Sequence, residues 1–403
     1  MNRRSFLKTS TLAGSGVLCM NNLSNSMQPQ YDLIIKNGLV IDPSQNIHGI
    51  KDVAVTDGKI AAVEENIPAS QAKETIDASG RIVTPGLIDL HVHAFWGVTV
   101  WGIEPDSTML AKGSTTVVDA GSAGYYIFHG FKKYVIEKSM TKIYAFLNIS
   151  AVGLISGKVQ ELEDMRHADV KLAVEMANQH RDLILGIKVR LGEYVVHEND
   201  IVALLLARQA AEELKLPLMV HIGNDVHSMD EMLPLLRPGD IVTHSFNGLK
   251  NGIVDEKGRI LPVTYDARNR GVYFDVGHGG GSFHWWVADA VLDQGFLPST
   301  ISTDLHSFSV NGPVYDLPTT LTKFMILGMP LDKVIELATI APAKLLKKEQ
   351  EMGSLRTGMP ADVSILTLEE GDFTLVDSKK EQKKTNKKLC SWKTIKGGKV
   401  YQG

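Results

Sequence analysis

The chain has 403 residues, 44% hydrophobic and 22% charged, with a formal net charge of -4. This composition excludes collagen-like, coiled-coil and extensively disordered chains and allows one large domain with an attachment, or two to three smaller ones. The small net charge and the lack of a basic face exclude nucleic acid as an expected partner; the cationic run Lys379 to Lys388 is interrupted by Glu381 and reads as a solvated loop.

At the N-terminus, Arg3-Arg4-Ser5-Phe6-Leu7-Lys8 precedes a mildly apolar run, Thr11 to Met20, and then Asn- and Ser-rich residues. A basic start, a short apolar stretch and small residues have the form of a secretory leader. The paired arginines resemble a twin-arginine export signal, so residues 1–26 are expected to be a signal peptide and the mature protein periplasmic. Cys19 falls in this leader, which leaves Cys390 alone in the mature chain, with no partner for a disulfide and no cysteine-based zinc site. No later segment has the roughly 18 unbroken apolar residues of a membrane span.

Residues 30–83 read as short β-strands. Tyr31 to Ile35, Leu39 to Ile41, Asp52 to Val55 and Lys59 to Val63 are punctuated by Asn37-Gly38 and Asp57-Gly58, which are hairpin signals. The style returns in residues 347–403, at Ala361 to Leu366 and Trp392 to Val400. Each piece alone is too small to bury a core, so the two are expected to pair into one small β-sandwich.

The middle, residues 84–346, carries eight apolar runs: 87–93, 115–120, 143–149, 183–189, 216–222, 241–245, 272–276 and 300–305. Near-continuous hydrophobic stretches are the pattern of parallel strands buried on both faces. Helix-like segments such as Asp169 to His180, Asp200 to Leu214 and His284 to Gln294 lie between them. Eight βα units make an α/β (β/α)8 TIM barrel, favoured here over an open doubly wound sheet because polar residues recur at the strand ends.

Those residues are His91 and His93 in the first run, Lys188 in the fourth, His221 in the fifth, His244 in the sixth and Asp304 in the eighth. Strand ends surround the active site of this fold, and residues two apart on a strand face the same way, so His91 and His93 point together. Imidazole and carboxylate suit zinc, with manganese or iron as alternatives. A buried lysine can lose its proton, and its amine can then take up carbon dioxide to give a carbamate able to bridge two metals.

Pro85-Gly86-Leu87-Ile88-Asp89-Leu90-His91-Val92-His93 resembles the opening motif of the amidohydrolase superfamily, and the lysine, two histidines and final aspartate follow in its order. Val117 to Gly124, Gly186 to Arg190 and Asp275 to Phe283 are similar to its amidohydrolase/deacetylase, dihydroorotase-like group. The resemblance implies two divalent metal ions. His91, His93 and Asp304 would hold one, His221 and His244 the other, and carbamylated Lys188 would bridge. It also implies attack by a metal-bridging hydroxide, with Asp304 relaying the proton.

Three further residues are substrate-binding candidates. Arg190, two after Lys188, either anchors a substrate carboxylate through its fork or forms a salt bridge on the barrel rim. His278 either contacts substrate or orients its glycine-rich loop, in which Gly279 allows close backbone approach. The expected activity is hydrolysis of an amide or ester acyl group, acetyl first, from a small carboxylate-bearing molecule. A cyclic amidohydrolase of the dihydroorotase or dihydropyrimidinase kind is the alternative, and a homo-oligomer is the expected assembly.

Overall fold

The computed structural model describes residues 30–401, so the leader expected over residues 1–26 lies outside the described residues. The chain opens with β1 (Tyr31–Asp42), β2 (Ile47–Thr56), β3 (Lys59–Glu64), β4 (Ala72–Asp77) and β5 (Ile82–Pro85). Asp57 and Gly58 both take positive φ (51° and 71°), the conformation a two-residue turn needs to join β2 to β3 with matching twist.

Seven parallel strands follow: β6 (Leu87–Val92), β7 (Ser114–Gly124), β8 (Lys142–Asn148), β9 (Ile184–Arg190), β10 (Leu218–His221), β11 (Ile241–Thr243) and β12 (Tyr273–Phe274). They lie in one sheet in consecutive order. β6, β7 and β9 are buried along their whole length, which is why their sequences show no polar alternation. The eighth run, 300–305, is not a regular strand, yet it closes the sheet. Parallel bridges tie Thr300 to Asp275 and Leu305 to Val92, and the His93 N–H donates to the Leu305 carbonyl at 2.9 Å. Three of its side chains also serve buried acids: Thr300 and Ser302 donate to Asp275, and Thr303 donates to Asp89.

Outside the strands run helices including Val170–Gln179, Asp200–Leu214, Trp285–Asp293 and Leu317–Ile326. Asp169 caps the first by accepting from the Leu172 N–H at 3.0 Å, which satisfies one of the orphan donors of a helix start.

β13 (Val363–Val376), β14 (Gln382–Lys396) and β15 (Lys399–Val400) return to the N-terminal strands. Hydrogen bonding joins the terminal segments into one mixed sheet of eight strands in the order β15-β14-β13-β5-β1-β2-β3, with β4 on β1; the pairing is that of a single sheet, not of two separate facing ones. The cationic run expected as a loop is largely strand, because Gln382 onward belongs to β14. Its lysines stand opposite acids, Lys388 across from Glu369 and Lys387 across from Glu370, and opposite charges across strands are favourable. Among the described residues no helix is long and apolar enough to cross a membrane.

Candidate metal centre and active site

The C-terminal ends of the barrel strands surround a cavity of about 570 Å³ walled by His91, His93, Lys188, His221 and Asp304. His244 stands directly behind, its ring centroid 4.1 Å from that of His221 and 5.0 Å from that of His91. All six residues expected to form the site therefore converge. Asp304 Oδ1 lies 3.1 Å from His93 Nε2 and 3.4 Å from His91 Nε2, and Lys188 Nζ lies 3.4 Å from His91 Nε2. One ligand atom each from His91, His244 and Asp304 lie within 4.8 Å of one another.

Each histidine of this cluster whose partner is defined is held by its inner nitrogen. His91 Nδ1 is 2.9 Å from Thr243 Oγ1, which in turn donates to Asp275 at 2.7 Å. His93 Nδ1 is 2.9 Å from Ser122 Oγ. His244 Nδ1 donates to the Gly277 carbonyl at 2.6 Å, so its Nε2 carries a bare lone pair. That Nε2 is buried and has no hydrogen-bond partner. A buried orphan of this kind is costly unless something binds it, and an inner nitrogen fixed by hydrogen bonding is the usual support of a metal ligand.

The electrostatics agree. Burial holds His91 and His221 well below the ordinary imidazole range and pulls His93 and His244 to about 4, so all four are neutral donors at pH 7. Burial also pulls Lys188 down to about 8, against the pull of Asp304 and Asp275. Four neutral imidazoles, one carboxylate, a lysine that loses its proton readily and an orphaned Nε2 fit a site for divalent metal ions.

Backbone strain accompanies this centre. His244 and Asp304 hold left-handed φ values of 68° and 49°, unusual for residues with a Cβ and typical of functional sites. Gly279 (φ 56°) lies against Asp304; a Cβ there would come within 2.4 Å of Asp304 Oδ2.

The three substrate-binding candidates are placed differently. Arg190 lines the cavity, but its fork is closed on Glu161, with Nε to Oε1 at 2.8 Å and Nη2 to Oε2 at 2.6 Å. Both residues are buried, so this is the salt bridge of the two readings, set deeper than the rim. His278 is not in the cavity wall. Its Nδ1 is 2.8 Å from the Gly279 carbonyl, its Nε2 is 2.6 Å from Lys323 Nζ, and its ring stacks on Phe283; it orients the loop. Gly279 likewise meets Asp304 and not open space, whereas Gly280, Gly281 and Ser282 line the cavity.

Sequence reasoning missed Glu161, Trp101, Tyr194, Asn148 and Asn224, of which the last four line the cavity. Glu161 lies in an irregular stretch before the helix Val170–Gln179, where no periodicity marks an inward-facing residue. Asp275 was legible as part of the Asp275 to Phe283 motif, although its grip on Thr243 was not.

A closed parallel barrel whose strand ends gather four neutral histidines, a lysine and an aspartate around one cavity is the arrangement of a metal-dependent hydrolase. The chain belongs to the amidohydrolase family. Residues 286–401 match the family directly. A deacetylase of Agrobacterium fabrum is 39% identical over 323 residues, 80% of this chain and 79% of that one. A deacetylase of Enterococcus faecalis is 38% identical over 376 residues, 92% of this chain and 99% of that one. A crystal structure of an adenine deaminase superposes with a TM-score of 0.85 at 37% identity, covering 93% of this chain and all of that one. The protein is a hydrolase acting on amide or ester bonds.

Proposed function

We propose that this protein is a binuclear metal hydrolase that removes an acetyl group, through an amide or ester bond, from a small carboxylate-bearing substrate. The observation that carries the metal centre is the unpartnered Nε2 of His244 inside a cluster of neutral imidazoles. The acetyl assignment is supported by the likeness to the deacetylases, which runs through most of the chain.

His91, His93 and Asp304 would hold one ion, His221 and His244 the second, with zinc the first expectation. Bound divalent ions supply a nucleophilic water at neutral pH and a Lewis acid for the carbonyl. Lys188 would contribute as its carbamate: its neutral amine would add to carbon dioxide, forming an N–C bond and releasing the surplus proton, and the resulting anion would be a further ligand for divalent cations. The lowered proton affinity of Lys188 makes the required neutral amine accessible near neutral pH.

Asp304 holds the proton at its carboxylate after water attack and delivers it to the departing nitrogen or oxygen of the substrate. Its position is set by the His91 carbonyl, which accepts from the Asp304 N–H at 2.7 Å, and by the side-chain-free Gly279. Trp101, Leu154, Leu249 and Phe308 furnish apolar wall. The products are acetate and the freed amino or hydroxy acid.

The test is a substrate comparison with purified protein: N-acetyl and O-acetyl acids of both chiralities against cyclic ureides. Acetate release from one acetylated acid series is expected. Ring opening of a ureide without turnover of any acetylated acid would overturn the reading in favour of a cyclic amidohydrolase.

A further inference from the structure

Lys323, in the helix Leu317–Ile326, is 0% exposed and has no ion-pair partner among the described residues. Burying an ammonium without a carboxylate is unfavourable unless its donors are satisfied. Here they are. Nζ faces His278 Nε2 at 2.6 Å, the Val376 carbonyl at 2.6 Å and the Pro313 carbonyl at 2.9 Å. Burial draws the lysine down to about 7, with Asp377 acting against the shift. Three acceptors call for three N–H donors, which the ammonium has and the neutral amine lacks.

This arrangement fixes His278. Its Nε2 accepts from Lys323, so its Nδ1 carries the proton and donates to the Gly279 carbonyl at 2.8 Å. The ring is clamped by stacking on Phe283 at 4.5 Å and 18°. The Gly279 carbonyl also accepts from Ser378 Oγ at 3.4 Å. That oxygen is therefore turned toward His278 and Ser378, neither of which lines the cavity. In a trans peptide the C=O and the following N–H point in opposite directions. The N–H on the other edge of this peptide belongs to Gly280, which lines the cavity and has no protein acceptor among the described residues.

The carboxylate of the substrate proposed above needs such a donor. Of the cationic side chains lining it, Lys188 sits with the metal ligands and the fork of Arg190 is closed on Glu161. We propose that Lys323 is a positioning residue: through His278 it turns the Gly279–Gly280 peptide so that the Gly280 N–H is offered to the anionic group of the substrate. The proposal rests on the carboxylate-bearing substrate put forward above and names the protein group that reads it.

Two variants test it. Lys323→Met removes the buried donor, and His278→Phe keeps the stacked ring while removing both of its hydrogen bonds. Each is compared with the parent protein on an acetylated acid and on the corresponding primary amide, with metal content and thermal midpoint measured alongside. For the acid, kcat/KM is expected to fall about tenfold or more, the scale of one hydrogen bond to a charged group. The amide should change far less, metal content should hold, and inhibition by the deacetylated acid should weaken with the loss. An equal fall on acid and amide, or no fall on the acid in the variant that folds, would overturn the positioning role. A parent protein without preference for acid over amide would overturn the carboxylate reading itself and the inference with it; a parent preference that survives in the variants would overturn the inference alone.

Discussion

His244 and Asp304 both hold left-handed backbone at the mouth of the barrel, and the Asp304 carboxylate occupies space that a neighbouring side chain would fill. Gly279 leaves the space that Asp304 Oδ2 occupies. Gly279→Ala meets two costs, a positive φ of about 1–2 kcal/mol and a Cβ that must displace the carboxylate. Since a displacement near 1 Å can cost about a hundredfold in rate, kcat should drop on that scale with one metal ion bound more weakly. Parent-level turnover in that variant would mean Asp304 is not held in its working position by the loop. At this scale the sequence revealed the ligand candidates well, because His91-x-His93 and the strand-end placement of Lys188, His221, His244 and Asp304 follow from strand alternation. It did not reveal Glu161, whose approach to Arg190 depends on the path of an irregular loop, nor Lys323, whose role needs three segments distant in sequence to meet.

Among the elements, seven of the eight apolar runs became regular strands because continuous burial and parallel pairing impose the same pattern. The eighth still hydrogen-bonds to both neighbours through its backbone, as at Ser302 with His278 and at Asp304 with His91, but it is interrupted at Asp304, whose φ is left-handed (49°). The length of β13 and β14 was not legible either. Their outer halves are exposed and charged, so the cue is cross-strand charge pairing, invisible until the register is known. The segment after β10 offers a test of burial. Asp225 is buried, accepts from the Gly223 N–H at 2.9 Å, and leaves Oδ1 unpartnered. Burial raises its carboxyl from 3.8 to about 7. The folded protein thus keeps a proton that the unfolded chain releases over this range, and stability declines as pH rises from about 4 to 7. Asp225→Asn should raise the melting temperature at pH 8 by about 2 °C or more and flatten this slope. A loss of equal size at pH 5 and pH 8 would show that the carboxyl is not protonated in the fold.

For the whole molecule, the N- and C-terminal segments share a sheet, paired through β5 and β13, beside a barrel that holds every candidate ligand. The expected twin-arginine leader bears on how the barrel acquires its metals, as that route carries proteins already folded. Replacing Arg3 and Arg4 together with lysine should leave unprocessed protein in the cytoplasm, read by fractionation and mass; normal export would point to the general secretory route. We propose that the six converging residues hold two metal ions. The most direct measurement is the number of metal equivalents per chain in active protein by elemental analysis. Two per chain are expected, with activity lost on chelation and restored by adding metal back. Full activity with one equivalent or none would contradict it.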